Sequence, residues 1–202
     1  VLDIEGKRLF TYHNTYFDTP DYMFYHMHHQ GKLNRYKVRH RYYFDTQTGF
    51  LEVKFKNNKG RTIKTRIASN EAFLDPNCTN FLNSQLGEQF KALQATQKGS
   101  YQRIALANES SGERLTLDLN LRFEAIKQNN NVQKDDFDLP QMFIAELKQN
   151  RHNIHSPFAQ LMARLNIRPT TFSKYCIGCS LVTPDLKANR FKPQLRSLQK
   201  LH

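Results

Sequence analysis

Arg35-Tyr36-Lys37-Val38-Arg39-His40-Arg41 decides how this chain folds. A cation stands at every second position. Successive side chains of a β-strand point to opposite faces, so Arg35, Lys37, Arg39 and Arg41 share one face, while Tyr36, Val38 and His40 share the other. An ordinary half-buried strand turns an apolar side inward and a polar side of mixed sign to water. Here the polar side is wholly cationic. Two like charges 4 Å apart repel by about 1 kcal/mol in water and about 4 kcal/mol at an effective dielectric of 20. A polyanion lying among these groups would relieve that repulsion.

The design repeats downstream. Leu51, Val53 and Phe55 oppose Glu52, Lys54 and Lys56. Asn57-Asn58-Lys59-Gly60 then predicts a hairpin turn, and Ile63 and Ile67 oppose Lys64 and Arg66. Three successive strands are thus apolar on one side and cationic on the other. Arg35, Lys37, Lys56 and Arg66 become candidate contacts for such a polyanion.

Further strands are expected over 10–17, 101–107, 114–123 and 141–148. In the third, Leu115, Leu117, Leu119 and Leu121 oppose Arg114, Thr116, Asp118, Asn120 and Arg122. Residues 21–30 read as a short helix or an irregular segment. Residues 70–97 change period: Phe73, Leu74, Phe81, Leu82, Leu86, Phe90 and Leu93 recur at helical spacing and predict one or two helices. Ser156-Pro157 opens another helix over 156–166, and a further one is expected over 171–182. The polar stretch 127–138 reads as a flexible loop. Residues 1–183 form one domain in this reading, and 184–202 a basic tail.

Composition narrows the class. Of 202 residues 39% are hydrophobic, with 15 Phe and 9 Tyr, enough for a real core. The net charge of +12 points to acidic or phosphorylated partners. Three cysteines, an odd and low count, argue against a disulfide framework and for a reducing, cytoplasmic compartment. No run of about 18 apolar residues predicts a membrane span, and no signal peptide is visible.

Strands with charged faces can form a flat plate or close into a barrel. Closure removes sheet edges and gathers the charges around a lumen. It also turns the apolar faces outward, where the helices at 70–97, 156–166 and 171–182 can cover them. The expected fold is therefore α+β: an antiparallel β-barrel with accessory helices packed outside.

These segments resemble a known family. Tyr16-Phe17-Asp18-Thr19-Pro20, Arg35 to Arg41, Leu51-Glu52-Val53-Lys54-Phe55-Lys56 and Lys64-Thr65-Arg66 resemble the VTC domain, the polyphosphate polymerase domain of the vacuolar transporter chaperone group. Ser100-Tyr101-Gln102-Arg103, Leu115 to Asp118, Ile144-Ala145-Glu146-Leu147-Lys148 and Ser173-Lys174-Tyr175 extend the likeness in order, over residues 8 to 180. The chain is most similar to stand-alone bacterial members, with neither an SPX domain nor a membrane anchor visible. The resemblance implies the triphosphate tunnel fold shared with CYTH-type enzymes. It implies that Arg39, Arg41, Lys54, Lys64, Arg103 and Lys174 grip phosphates as the catalytic set, and that Glu146 holds Mn²⁺ or Mg²⁺. The implied reaction moves the terminal phosphate of ATP onto inorganic polyphosphate. The family's opening Arg-x-Glu-x-Lys-like strand has no counterpart here, since Asp3, Glu5, Lys7 and Arg8 are differently spaced. A first strand is expected upstream or absent.

Phosphoryl transfer needs positioning and charge neutralisation more than covalent help. Arginine forks suit phosphate, and a carboxylate suits Mg²⁺ or Mn²⁺. In this reading Lys174, Arg39 and Arg41 bind nucleotide β and γ phosphates, while Arg103, Lys54 and Lys64 guide the acceptor. Hydrolysis of tripolyphosphate or a nucleoside triphosphate is the alternative chemistry, and a noncatalytic polyphosphate-binding module the alternative class. Nucleic-acid binding is disfavoured because Tyr36 and Tyr42 fall on the face opposite the cations. Glu52 and Asp118 read as local charge balance. Cys176 and Cys179 read as packed helix residues rather than a redox or zinc pair, and His26, His28 and His29 as structural or surface. Asp18 reads as part of a strand end and turn.

Overall fold

The computed structural model describes residues 1–71, 75–126, 135–149, 153 and 156–200. The comb lies in β2 (Arg35–Tyr43), between β1 (Phe10–Asp18) and β3 (Thr48–Lys56). The turn after β3 forms as its sequence predicts. The Asn57 carboxamide oxygen accepts from the Lys59 and Arg61 amides, both at 3.0 Å, and Gly60 takes φ +74°. It leads into β4 (Thr62–Ala68). On the other side of β1 follow β5 (Gln94–Asn108) and β6 (Glu113–Ala125). The far edge of β6 is shared by β7 (Phe137–Leu139) and β8 (Ile144–Gln149). All pairings are antiparallel, in the order β4-β3-β2-β1-β5-β6-β7, with β8 beside the first half of β6.

The expected closed barrel is not formed. Among the described residues no pairing joins β4 to β7 or β8, so the sheet stays open. The physical reason is that burial is achieved without closure. The helix α2 (Pro76–Leu86) covers the apolar face of the first half, where Cys78, Leu82 and Leu86 pack on Phe17, Val38, Leu51 and Val53. The helix α4 (Lys174–Val182), expected outside, lies instead on the cationic side. Its Tyr175, Cys176 and Cys179 pack with Tyr16, and its Ile177 with Tyr101, Leu121 and Phe123. The short α1 (Met23–His29) bridges the two layers, with Phe24 in the outer core and Tyr25 in the inner one. The third expected helix, α3 (Pro157–Arg164), buries none of its residues.

Three boundaries differ from expectation. The helical spacing of 70–97 is read across a stop signal: Gly87, at φ +58°, ends α2, as glycine does at helix C-termini. A 3₁₀ turn over Gly87–Ala92 follows, and residues 94–97 already belong to β5. Phe73 and Leu74 lie outside the described residues, as do residues 127–134 of the expected loop. At the end of that loop and one residue beyond it, Phe137–Leu139 forms β7. The alternation of β6 also slips. Asn120 sits at φ +50° in a bulge opposite Tyr101, a conformation asparagine tolerates. Leu121 and Phe123 therefore turn to the cationic side, where α4 covers them.

Candidate phosphate-binding trough

The registers of β1 to β4 align the inner side chains into rungs. Lys37, Lys54 and Lys64 make one rung across three strands, with Arg39, Glu52 and Arg66 beside it. Directly opposed side chains have Cβ atoms about 4.5–5.5 Å apart, and like charges there are destabilising. A fully buried carboxylate moderates the second rung. The Arg39 Nε donates to Glu52 Oε2 at 2.7 Å, and the Lys64 ammonium pairs with Oε1. Burial alone would push the Glu52 carboxyl up, but the Arg39 and Arg41 guanidiniums and the Lys64 ammonium outweigh it and bring it down to about 2.

Within the first rung only Lys64 has such help. Lys54 has no ion pair among the described residues. Burial first, then the charges of Arg39, Lys37 and Arg41, lower its ammonium to about 7. Lys37 donates to the Ser173 hydroxyl at 3.0 Å, and its ammonium is likewise lowered, chiefly by burial.

Arg41 is held by neutral groups. It donates through Nε to Asn14 Oδ1 at 3.2 Å and through Nη2 to the Tyr101 hydroxyl at 3.1 Å. Beyond it, β5 and β6 carry a second carboxylate-centred set. Arg103 grips Asp118 with a two-pronged contact at 2.5 and 2.8 Å, and the Lys174 ammonium, arriving from α4, pairs with Asp118 Oδ2. Burial opposes the Asp118 charge, yet these two cations hold its carboxyl below the usual range. Lys174 also stands 4.5 Å over the Tyr101 ring.

The helix carrying Lys174 is set close against the strands. A Cβ at Gly178 would come within 2.8 Å of Gln97 and Phe123 side-chain atoms. Its first turn is fixed by Ser173, which accepts from the Cys176 amide at 3.3 Å. Asp18, at the end of β1, is fully buried. It accepts from the Thr19, Phe24 and Tyr25 amides at 2.8 Å each and from the Tyr175 hydroxyl. Its carboxyl is pushed up by burial, against the pull of those bonds. The sequence places Asp18 at a strand end and turn; its link to Tyr175 spans 157 residues and has no local signal.

The remaining candidates are less central. Arg35, at the end of the comb, donates to His28 Nδ1 at 3.0 Å and to the Lys32 carbonyl. The other His28 nitrogen meets the Tyr36 carbonyl at 3.0 Å, and burial with the Lys37 charge lowers this imidazole to about 3. Lys56 lies opposite Arg35. Arg66 is exposed and lies over the Phe50 ring at 4.5 Å. Glu146, opposite Thr116 on β6, shares the face of Asp118. It is half exposed, and its contact is Lys148 at 3.5 Å. Among the described residues no three His, Cys, Asp or Glu side chains gather as a metal cluster.

The aromatic side of the trough differs from expectation. Tyr43, Tyr12 and Tyr101 share the cationic face, which the tyrosines of the comb do not. The Tyr12 and Tyr101 rings stack on each other at 5.2 Å. Arg41 and Arg103 lie over Tyr12 at 5.5 and 5.3 Å. These rings are engaged within the protein. Cys176 and Cys179 are free and buried in the core, as read from sequence.

Comparison with known proteins agrees with this architecture. No curated protein matches the chain. A solved structure of a proposed adenylate cyclase from Bacillus halodurans is similar at 16% identity and a TM-score of 0.51, over 85% of this chain and 83% of that one. A proposed adenylyl cyclase from Hippeastrum, described as having a dominant triphosphatase activity, matches at 11% identity and a TM-score of 0.45, over 86% and 83%. The first shows that the fold is shared. The model of the VTC domain matches residues 1–183, so the chain belongs to the VTC domain family.

Proposed function

We propose that the trough binds a linear chain of phosphates and carries out metal-dependent phosphotransfer, moving the terminal phosphate of ATP onto polyphosphate. The supporting observation is the rung Lys37-Lys54-Lys64 beside Arg39 and Arg41. Lys54 is held down to about 7 by burial and by its cationic neighbours, and a polyanion would relieve both. Arg39, Arg41, Lys54, Lys64, Arg103 and Lys174 line one face and act by positioning and neutralising phosphoryl oxygens. Arg35, Lys37, Lys56 and Arg66 extend the cationic track.

Glu146 suits a divalent ion. Glu52 and Asp118 are each locked between two cations, whereas Glu146 meets Lys148 at 3.5 Å. Mg²⁺ is commonly held by one or two carboxylates together with substrate phosphates and water. The ion, Mn²⁺ or Mg²⁺, would supply Lewis-acid neutralisation of phosphate charge. The Bacillus and Hippeastrum proteins, described as cyclase or triphosphatase, extend the same substrate class to this trough by analogy alone.

Hydrolysis is the second reading, favoured by the sheet being left open, with no described pairing joining β4 to β7 or β8. Incubation with ATP and Mn²⁺, followed by separation of long polymer from free phosphate, tests both. Polymer supports the transferase, free phosphate the hydrolase. Tripolyphosphate binding without turnover would leave a binding module, and absence of binding would reject the assignment. Nucleic acid is not among the proposed partners, because the inner tyrosines are stacked on one another or covered by arginines.

A further inference from the structure

We propose that Asp18 is a positioning residue for Lys174, locking the first turn of α4 so that its ammonium reaches into the trough. Asp18 touches neither Lys174 nor any of the trough cations through the bonds described above. Its carboxylate uses one oxygen for the Thr19 and Phe24 amides, and the other for the Tyr25 amide and the Tyr175 hydroxyl. It thus ends β1, caps α1 and anchors α4 from a single buried point. Tyr175 directly follows Lys174.

Two features make this an aiming device rather than generic packing. A tyrosine hydroxyl bound to a carboxylate is a directional, charge-assisted contact, stronger than a neutral hydrogen bond. It fixes the rotation of the helix as well as its distance. The neighbouring residues on the same turn each make a separate trough contact: Ser173 accepts from Lys37, and Lys174 pairs with Asp118. A small rotation of the turn would break both together. Nothing on α4 besides Tyr175 is bonded to Asp18 among the described residues.

The placement of Lys174 stands on geometry alone; its consequence for phosphate rests on the function proposed above. Two readouts keep them apart. In protein labelled with ¹⁵N-lysine, the Lys174 ammonium signal is assigned by its loss in Lys174→Met. It is expected to move toward that of an exposed lysine in Asp18→Asn and, by less, in Tyr175→Phe. Tyr175→Phe removes a single hydroxyl and remains informative should Asp18→Asn not fold. An unmoved Lys174 signal in either folded variant would overturn the proposal.

The second readout is tripolyphosphate affinity by calorimetry. Lys174→Met and Asp18→Asn should each lose about tenfold, the scale of one charged hydrogen bond. The double variant should be no weaker than either single one. Asp18→Asn combined with Lys64→Met should instead lose the product of the two effects. Full additivity of Asp18→Asn with Lys174→Met would refute positioning and indicate a merely structural role. If the unaltered protein binds no tripolyphosphate, the functional assignment fails, and the lysine signal alone decides the role of Asp18.

Discussion

Two carboxylates organise the two halves of the trough, and they do so with different parts. Glu52 is held between Arg39 and Lys64, all three on consecutive hairpin strands. Asp118 is held between Arg103, its neighbour across β5 and β6, and Lys174, delivered by a helix some 56 residues away. The first set is built by local pairing, and its outer face is sealed by α2. The second depends on a distant helix docking on the inner face. One motif of alternating charge can therefore be completed by a hairpin or by a helix, and only the helical version can be loosened without disturbing the strands.

Breaking each set should expose this difference. Glu52→Gln has the largest expected effect. Removing one partner of a buried pair typically costs about 3–5 kcal/mol, and here it also leaves Arg39 among Arg41, Lys37 and Lys54. Urea denaturation would measure it. The pH dependence has a definite sign. The Glu52 carboxyl is lowered to about 2, below its unfolded value of 4.5. Its stabilisation is complete above pH 4.5 and is lost as pH falls toward 2. The variant should lack that part of the acid unfolding profile, worth about 3 kcal/mol at 1.36 kcal/mol per pH unit. An unchanged profile would show that the hairpin set contributes nothing.

Lys174→Met tests the helical set. Tripolyphosphate affinity should fall about tenfold while urea stability changes far less than in Glu52→Gln. Equal destabilisation in the two variants would erase the distinction between the halves. The Lys37-Lys54-Lys64 rung yields a subtler signal. Because the Lys54 ammonium is lowered to about 7, phosphate binding near pH 7.5 should take up protons. Calorimetry in two buffers of different ionisation heat would detect it, and Lys54→Met should abolish it. In the free protein the same group makes stability rise between pH 7 and its unfolded value of 10.5, since there the unfolded chain holds the extra proton. The smallest stability change belongs to Glu146→Gln, within about 0.5 kcal/mol for an exposed side chain. Its Mn²⁺-dependent turnover should nonetheless drop, and an undiminished rate would remove Glu146 from the proposed metal site.

The strands of the first half were legible because their period-2 pattern is local and uninterrupted. So was the role of Glu52 and Asp118 as charge balance within a cationic face, since their neighbours follow from register. What was not legible depended on distant contacts. Nothing local shows that Tyr175 would reach Asp18, or that 171–182 would settle on the charged side. The single left-handed residue Asn120 reverses the alternation of β6, and a leucine ladder read straight through it puts Leu121 on the wrong face. Gly87 likewise marks the end of α2, but Leu93 continues the helical spacing past it. Apolar faces that need cover argue for a barrel, but two helices on opposite sides meet that need with the sheet left open.

Gly178 carries a consequence of its own. A Cβ there would stand 2.8 Å from side-chain atoms of Gln97 and Phe123, so even one methyl group would make those side chains or α4 give way. Any lift of the helix would carry the Lys174 ammonium, one turn away at its start, with it. Under the proposed function, the grip of the trough would be adjustable from a residue that has neither charge nor side chain, with every cation still in the sequence.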